Sequence, residues 1–152
     1  MEIIKNDYSS VFTEALIEII SKTTGFSFEV MSEDRDCNFY EFVSMMNLNS
    51  KKGGIISLSA KESDIRTLCS FMIGVPPDKV IKDDMEDTLS EFVNMTAGNV
   101  KLRITDPDYM FAFSNPFIIR GSEMTINTKI RTNLISRELG NGEISIKLKV
   151  IF

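Results

Sequence analysis

Two neighbouring segments near the end of the chain alternate strictly between apolar and polar residues. Residues 125–134 and 144–152 each place an apolar or threonine side chain at every second position, and Gly140-Asn141-Gly142 lies between them. In a β-strand, successive side chains point to opposite faces of the sheet. Alternation between apolar and polar residues therefore predicts antiparallel strands with one buried face. The last strand would leave a sheet edge, which we expect dimerisation to cover.

The rest of the sequence supplies helices and further strands. Apolar residues at helical spacing predict three helices, over residues 7–22, 61–73 and 83–104. Segments rich in aromatic and aliphatic residues, bounded by glycine, proline or asparagine, predict five more strands, over residues 26–30, 38–48, 55–60, 110–114 and 117–121. We therefore predict an α+β fold in which helices cover one face of an antiparallel sheet.

The order of these elements suggests an internal duplication. A helix, a strand and a hairpin occur twice, which indicates a repeated helix–three-strand unit with halves at about 1–80 and 81–152. The length of 152 residues suits a single domain, and we predict one domain over residues 1–152.

Composition excludes several functions. The 43% hydrophobic content is enough for a core, and the net charge of −5 argues against a nucleic-acid partner. No apolar run reaches the length of a membrane span, and the start lacks the pattern of a secretory signal. Cys37 and Cys69 are isolated, which indicates reduced thiols rather than a disulfide framework. We therefore expect a cytoplasmic protein without membrane or nucleic-acid partners.

The chain contains no histidine, which restricts its chemistry. Histidine is the commonest general base and metal ligand in proteins. Any catalysis must therefore use carboxylates, amides, hydroxyls or groups that a partner supplies.

Residues 86–101 read EDTLSEFVNMTAGNVK and carry an unusual polar stripe. An α-helix advances about 100° per residue, which places Asp87, Glu91, Asn94 and Gly98 on one face. The opposite arc is mainly apolar and consists of Leu89, Phe92, Val93, Thr96 and Val100. Asp87 and Glu91 repel by a few tenths of a kcal/mol, and Gly98 costs about 1 kcal/mol against alanine. The stripe is therefore either an ordinary solvated face or a contact surface.

The first predicted helix repeats this spacing. Ser10, Glu14, Ile17 and Ser21 have the same separations, although Ile17 stands where the later helix has Asn94. The match is either a degenerate copy of the stripe or a coincidence between two amphipathic helices.

The later stripe resembles the signature of the CheC/CheX/FliY family of bacterial chemotaxis phosphatases. The matching positions are Asp87, Glu91 and Asn94, followed by Gly98, Asn99, Pro116 and Gly121. Between Asn94 and Pro116 lie twenty-one residues, one fewer than in the usual pattern. The Phe71-Met72-Ile73-Gly74 segment and the acidic helix start are also similar to the family. A single intact motif resembles CheX more than CheC, which usually carries two.

The resemblance implies a hydrolase of signal transduction that dephosphorylates the phosphorylated response regulator CheY. It implies a homodimer with a shared sheet and assigns Glu91 and Asn94 as the active pair. Asn94 would hold the attacking water, and Glu91 would pair with a lysine of the regulator. The resemblance gives Asp87 and Pro116 a structural role as motif positions. The partner-binding surface would also include Asp87 and Gly98. The chain would bind no cofactor itself, because Mg²⁺ lies in the regulator.

Two other functions fit the same residues. The chain could be a non-catalytic adaptor that binds a response regulator or a flagellar switch component through the same face. It could also be a purely structural dimer, with an exposed Ile17 marking the interface. The sequence leaves open which regulator is the substrate and whether another chemotaxis protein modulates activity.

Overall fold

The computed structural model describes residues 3–32, 39–127, 129 and 134–151. Within these residues there are three α-helices, α1 (Ile3–Thr24), α2 (Glu62–Ile73) and α3 (Lys82–Lys101). A short 3₁₀ turn at Pro77–Lys79 precedes α3. The strands are β1 (Glu29–Ser32), β2 (Tyr40–Asn49), β3 (Ile55–Ala60), β4 (Ala112–Phe113), β5 (Phe117–Met124), β6 (Leu134–Gly140) and β7 (Ser145–Ile151). None of the described helices is long and apolar enough to cross a membrane.

The described strands form one antiparallel sheet in the order β1-β6-β7-β3-β2, with β5 and β4 both pairing with β2. The centre of the sheet joins β3 to β7, in a register that runs from Ile55 opposite Ile151 to Ser59 opposite Lys147. Strands from the two halves of the chain are therefore neighbours in the middle of the sheet. The expectation that the last strand leaves an open sheet edge is wrong, because β7 pairs with β3 on one side and with β6 on the other.

The helices cover one face of this sheet, as predicted. Alternate residues of the central strands join the helices in one core cluster, including Phe42, Met46, Leu58, Leu148 and Val150. All five are at most 1% exposed. Burial of apolar surface at about 25 cal/mol per Å² makes this layer the main source of stability. The predicted α+β architecture is confirmed.

The predicted strand over residues 125–134 is misplaced. Residues 125–127 are not in a strand, and β6 instead occupies Leu134–Gly140. Residues 128 and 130–133 lie outside the described part of the chain. The described pairing of the hairpin runs from Leu134 opposite Ile151 to Gly140 opposite Ser145. The predicted turn at Gly140-Asn141-Gly142 is confirmed. The described pairing with β7, however, begins at Leu134, which is the last residue of the predicted strand.

The expectation of a single buried face is also wrong for β7. Lys147 and Lys149 point away from the helices, yet they are only 2% and 3% exposed. The Nζ of Lys149 donates a hydrogen bond to the carbonyl oxygen of Ile126 at 2.8 Å. Residues 125–127, which follow β5, therefore lie near the second face of the sheet, and the buried ammonium obtains the polar partner that burial requires.

Candidate functional site

Helix α3 carries the candidate site, and its start is stabilised by its own acids. The Ile81 N–H donates a hydrogen bond to Asp84 Oδ2 at 3.2 Å. Asp83 and Asp84 lie in the first turn, where negative charge interacts favourably with the helix dipole. The same carboxylates that begin the helix also give this end of the molecule its negative charge.

The polar stripe of α3 faces outward, as its periodicity predicted. Asp87 and Glu91 are exposed, while Asn94 and Gly98 are half-buried. The opposite arc is buried against the sheet and the other helices, and its residues are Leu89, Phe92, Val93, Thr96 and Val100. One rigid helix therefore presents a carboxylate and an amide about one turn apart.

Glu91 differs from Glu86, on the same helix, in its pairing. Within the described part of the chain, its carboxylate makes no ion pair or hydrogen bond, whereas Glu86 on the same helix lies 3.1 Å from Arg120. Glu91 is also exposed. An incoming cation can therefore pair with Glu91 without breaking an existing ion pair.

A groove of about 240 Å³ lies between the end of α2 and the first half of α3. Its lining residues are Met72, Ile73, Asp84, Asp87, Thr88 and Glu91. Thr88 is 3% exposed and hydrogen-bonds the thiol of Cys69. Burial raises the pKa of that thiol, which keeps it protonated and unreactive. The groove thus has carboxylates on one wall and thioether and aliphatic groups on the other.

Gly98 lies beside an aromatic ring that sequence reasoning missed. A Cβ added at Gly98 would lie 4.0 Å from Phe113 Cζ, which is an ordinary contact distance. Strand β4 holds Phe113 in place by pairing it with Leu48 of β2, and Lys101 Nζ lies 5.0 Å from the ring centroid. The segment around Phe113 was predicted only as a strand, because its pairing partner is far away in the sequence.

The sequence matches the model of a known protein family. The family model described as chemotaxis phosphatase CheX matches residues 42–138, well over half of the chain. The chain belongs to the CheX family. No curated protein matches the sequence at a significant level.

Solved structures related to the CheX family have the same fold. A CheC-like superfamily protein from Shewanella sp. PV-4 has a TM-score of 0.82 at 17% identity, covering 95% of this chain and 96% of that one. CheX from Vibrio vulnificus has a TM-score of 0.79 at 14% identity, covering 93% of each chain. The CheX-CheY-BeF3-Mg complex from Borrelia burgdorferi gives a TM-score of 0.75 at 14% identity, covering 95% of this chain and 97% of that one.

Pro116, which the resemblance places in the motif of the CheX family, lies at a break between two strands. Pro116 separates β4 from β5, and both strands pair with β2. Next to it, the Ser114 hydroxyl accepts a hydrogen bond from the Asn47 N–H at 3.2 Å. Proline has no N–H for a strand ladder, so Pro116 fixes where the first pairing ends and the second begins.

The stripe of equal spacing on α1 has a different environment from the stripe on α3. Glu14 Oε2 lies 3.6 Å from Arg103 Nη1, so this acid already has a partner. Ile17 is partly buried and packs against the core, and the expectation that it is exposed is wrong. The hypothesis of a structural dimer rested on an exposed Ile17, and the structure removes that support.

The described part of the chain contains no group of three or more cysteine, aspartate or glutamate residues arranged to hold a metal ion. Cys69 is a free, buried thiol, while Cys37 lies outside the described residues.

Proposed function

We propose that this CheX-family chain accelerates hydrolysis of the aspartyl phosphate on a phosphorylated CheY-type response regulator. The observation that carries the proposal is the outward face of α3, where Glu91 makes no ion pair among the described residues and Asn94 follows within one turn. Its fold is shared with a CheX solved in a complex with CheY, which supports a CheY-type partner.

The chemistry suits an amide rather than a strong base. An aspartyl phosphate is an activated acyl phosphate, and phosphoryl transfer depends mainly on positioning and on stabilising charge. The Asn94 side chain offers both donors and an acceptor, so it can orient a water in line with the phosphorus atom. Because Asn94 is only half-buried on a rigid helix, it can enter a partner's site without unfolding.

Glu91 docks the regulator in this proposal. A lysine of the regulator pairs with the exposed carboxylate, and the ion pair sets the depth and angle at which Asn94 enters. Exposed ion pairs contribute little in water, but a pair that becomes desolvated in an interface contributes more. Mg²⁺ belongs to the regulator's phosphorylation site and supplies charge neutralisation there. Asp87 and Gly98 belong to the same partner-binding surface, one turn to either side of the active pair.

The open edge of the sheet supports a homodimer. Among the described residues β5 pairs only with β2, so its other edge has no neighbouring strand. Several residues of β5 are exposed, including Phe117 at 50% and Ile119 at 42%. Pairing this edge with a second copy would satisfy its backbone groups and cover its apolar side chains. Analytical ultracentrifugation should give twice the chain mass; a monomer at micromolar concentration contradicts the dimer.

The deciding experiment measures decay of CheY-type regulators from the same genome, labelled with ³²P on the aspartate. We expect the wild-type protein to accelerate decay catalytically, and Asn94→Ala to lose about 100-fold in rate while still binding the regulator. If Asn94→Ala matches wild type, the proposed mechanism is wrong. If the wild-type protein binds the regulators without accelerating decay, it is an adaptor.

A further inference from the structure

Exposed apolar side chains lie at both ends of the polar stripe on α3. At one end, Met72 and Ile73 form the wall of the groove that faces Glu91, and Ile73 is 44% exposed. Phe71 beside them is 59% exposed and packs edge-on against Phe26 at a centroid distance of 4.9 Å. We call Met72 and Ile73 the first wall.

The first wall is held rigidly by the end of α2. Gly74 adopts a left-handed conformation with φ of 71°, and its N–H donates to the Ser70 carbonyl at 3.0 Å. The Ser70 hydroxyl donates to the Val75 carbonyl at 2.6 Å. Arg66 donates to the carbonyl oxygens of Pro77 and Val80 at 3.0 and 2.7 Å. A contact surface fixed in advance loses little entropy when a partner binds.

The second wall lies at the other end of the stripe and consists of Leu102 and Phe113. Leu102 follows Gly98 by four residues and retains helical dihedral angles, φ −72° and ψ −17°, so it continues the face of the stripe. It is 87% exposed. Phe113 is 41% exposed, and its ring lies against Gly98. Both side chains lie beside the polar stripe, so a partner that docks on the stripe can cover their apolar surface.

The dimensions and charge of this surface indicate the kind of partner. From Asp87 to Leu102 the helix spans about 22 Å, which fits a protein face better than a small metabolite. The groove is lined by the carboxylates of Asp84, Asp87 and Glu91, and none of the described residues that line it is basic. It therefore complements a basic side chain whose aliphatic stem can lie on Met72 and Ile73.

We propose that the two walls dock the receiver domain of the response regulator on either side of its phosphorylation site. A basic side chain of the receiver lies in the groove, and apolar receiver surface covers Leu102 and Phe113. The walls set the affinity for the regulator, while Asn94 sets the rate of hydrolysis. This inference rests on the proposed function and adds positioning residues to it.

The test measures kcat and KM for phosphorylated receiver domains with Ile73→Ser, Leu102→Ser and Phe113→Ala. Each variant should raise KM by about fivefold to tenfold, as for apolar contact residues of an interface, with kcat within twofold of wild type. Val30→Ala is the matched control. Val30 is 47% exposed, but it lies on β1 at the far end of the sheet. The Val30→Ala variant should therefore have the wild-type KM.

Three outcomes separate the possibilities. If KM rises for residues of both walls and not for Val30→Ala, the docking surface is supported. If KM stays within twofold for all three wall variants while Asn94→Ala loses its rate, the docking proposal is wrong and the proposed function stands. If Asn94→Ala keeps the wild-type rate, the proposed function itself fails. Leu102→Ser makes the test independent of folding, because a side chain that is 87% exposed has little packing to lose.

Discussion

Helices α1 and α3 carry acids at the same place in equally spaced polar stripes, but the two acids have different surroundings. Glu14 on α1 pairs with Arg103 at 3.6 Å, while Glu91 on α3 makes no such contact within the described residues. The third position differs as well, since Ile17 packs against the core where α3 presents Asn94. The residues with this spacing on α1 therefore take part in packing within the fold. On α3, the residues with the same spacing leave polar groups that a partner can reach.

Charge reversal at Glu91 and at Glu14 should give the largest difference in kcat/KM between the two stripes. In the proposed complex, Glu91→Lys places a cation opposite a lysine of the regulator, and we expect kcat/KM to fall by about 100-fold because like charges in an interface cost several kcal/mol. Glu14→Lys should leave kcat/KM within twofold of wild type. Steady-state dephosphorylation of the labelled regulator measures both. Equal losses for the two variants would mean that net charge, rather than the position of Glu91, drives docking.

Replacing Ile17 by asparagine asks whether the α1 stripe is a dormant site. Ile17→Asn restores the spacing of carboxylate and amide, but it removes an aliphatic side chain that packs against the core. We expect a loss of about 1 kcal/mol in the free energy of unfolding and no gain in phosphatase rate, because Arg103 still occupies Glu14. Urea denaturation and the decay assay give the two results. A second active site in an Asn94→Ala background would contradict this view of α1.

Gly98→Ala tests what the glycine in the α3 stripe contributes. An alanine Cβ fits at 4.0 Å from Phe113 and removes the entropic cost of glycine in a helix. The free energy of unfolding should therefore rise by about 0.5–1 kcal/mol. If Gly98 also lets the regulator approach closely, KM should rise by about twofold to threefold, which corresponds to about 0.4–0.7 kcal/mol. A more stable protein with unchanged KM would remove Gly98 from the partner-binding surface.

The smallest expected effect is on stability, from removal of the arginine that forms ion pairs with the acids of α1. Arg103 also approaches Glu18 at 3.1 Å, and all three side chains are at least one third exposed. Arg103→Ala should lower the free energy of unfolding by only about 0.5 kcal/mol, as is usual for exposed ion pairs, and leave kcat unchanged. Thermal unfolding at low and high salt checks this. A large fall in kcat would mean that the packing of α1 against α3 positions Asn94.

Local periodicity was enough to predict the helices and the orientation of the stripe. The burial of Leu89, Phe92 and Val93 opposite Glu91 follows from 3.6 residues per turn alone. The β6–β7 hairpin was predicted only in part. Its turn is encoded locally, whereas the alternating pattern did not show that residues 125–127 lie outside the strand. The roles of Glu91 and Asn94 came from the resemblance to the family and remain predictions.

Features that depend on distant residues could not be read from the sequence. Phe113 reaches Gly98 because β4 pairs with the end of β2, and Lys149 is buried because the Ile126 segment crosses the sheet. Neither pairing has a local signal, since the partners meet only after the chain has folded.

The sequence by itself determined which side chains share a face of each helix, because the geometry of a helical turn is set by the backbone. Only the tertiary structure decided which of these faces is left open. Arg103 and Glu18 are 85 residues apart, yet packing of α3 against α1 brings them together. That packing gives the α1 acids a partner, and the same fold turns Glu91 and Asn94 of α3 outward, where a second protein can reach them.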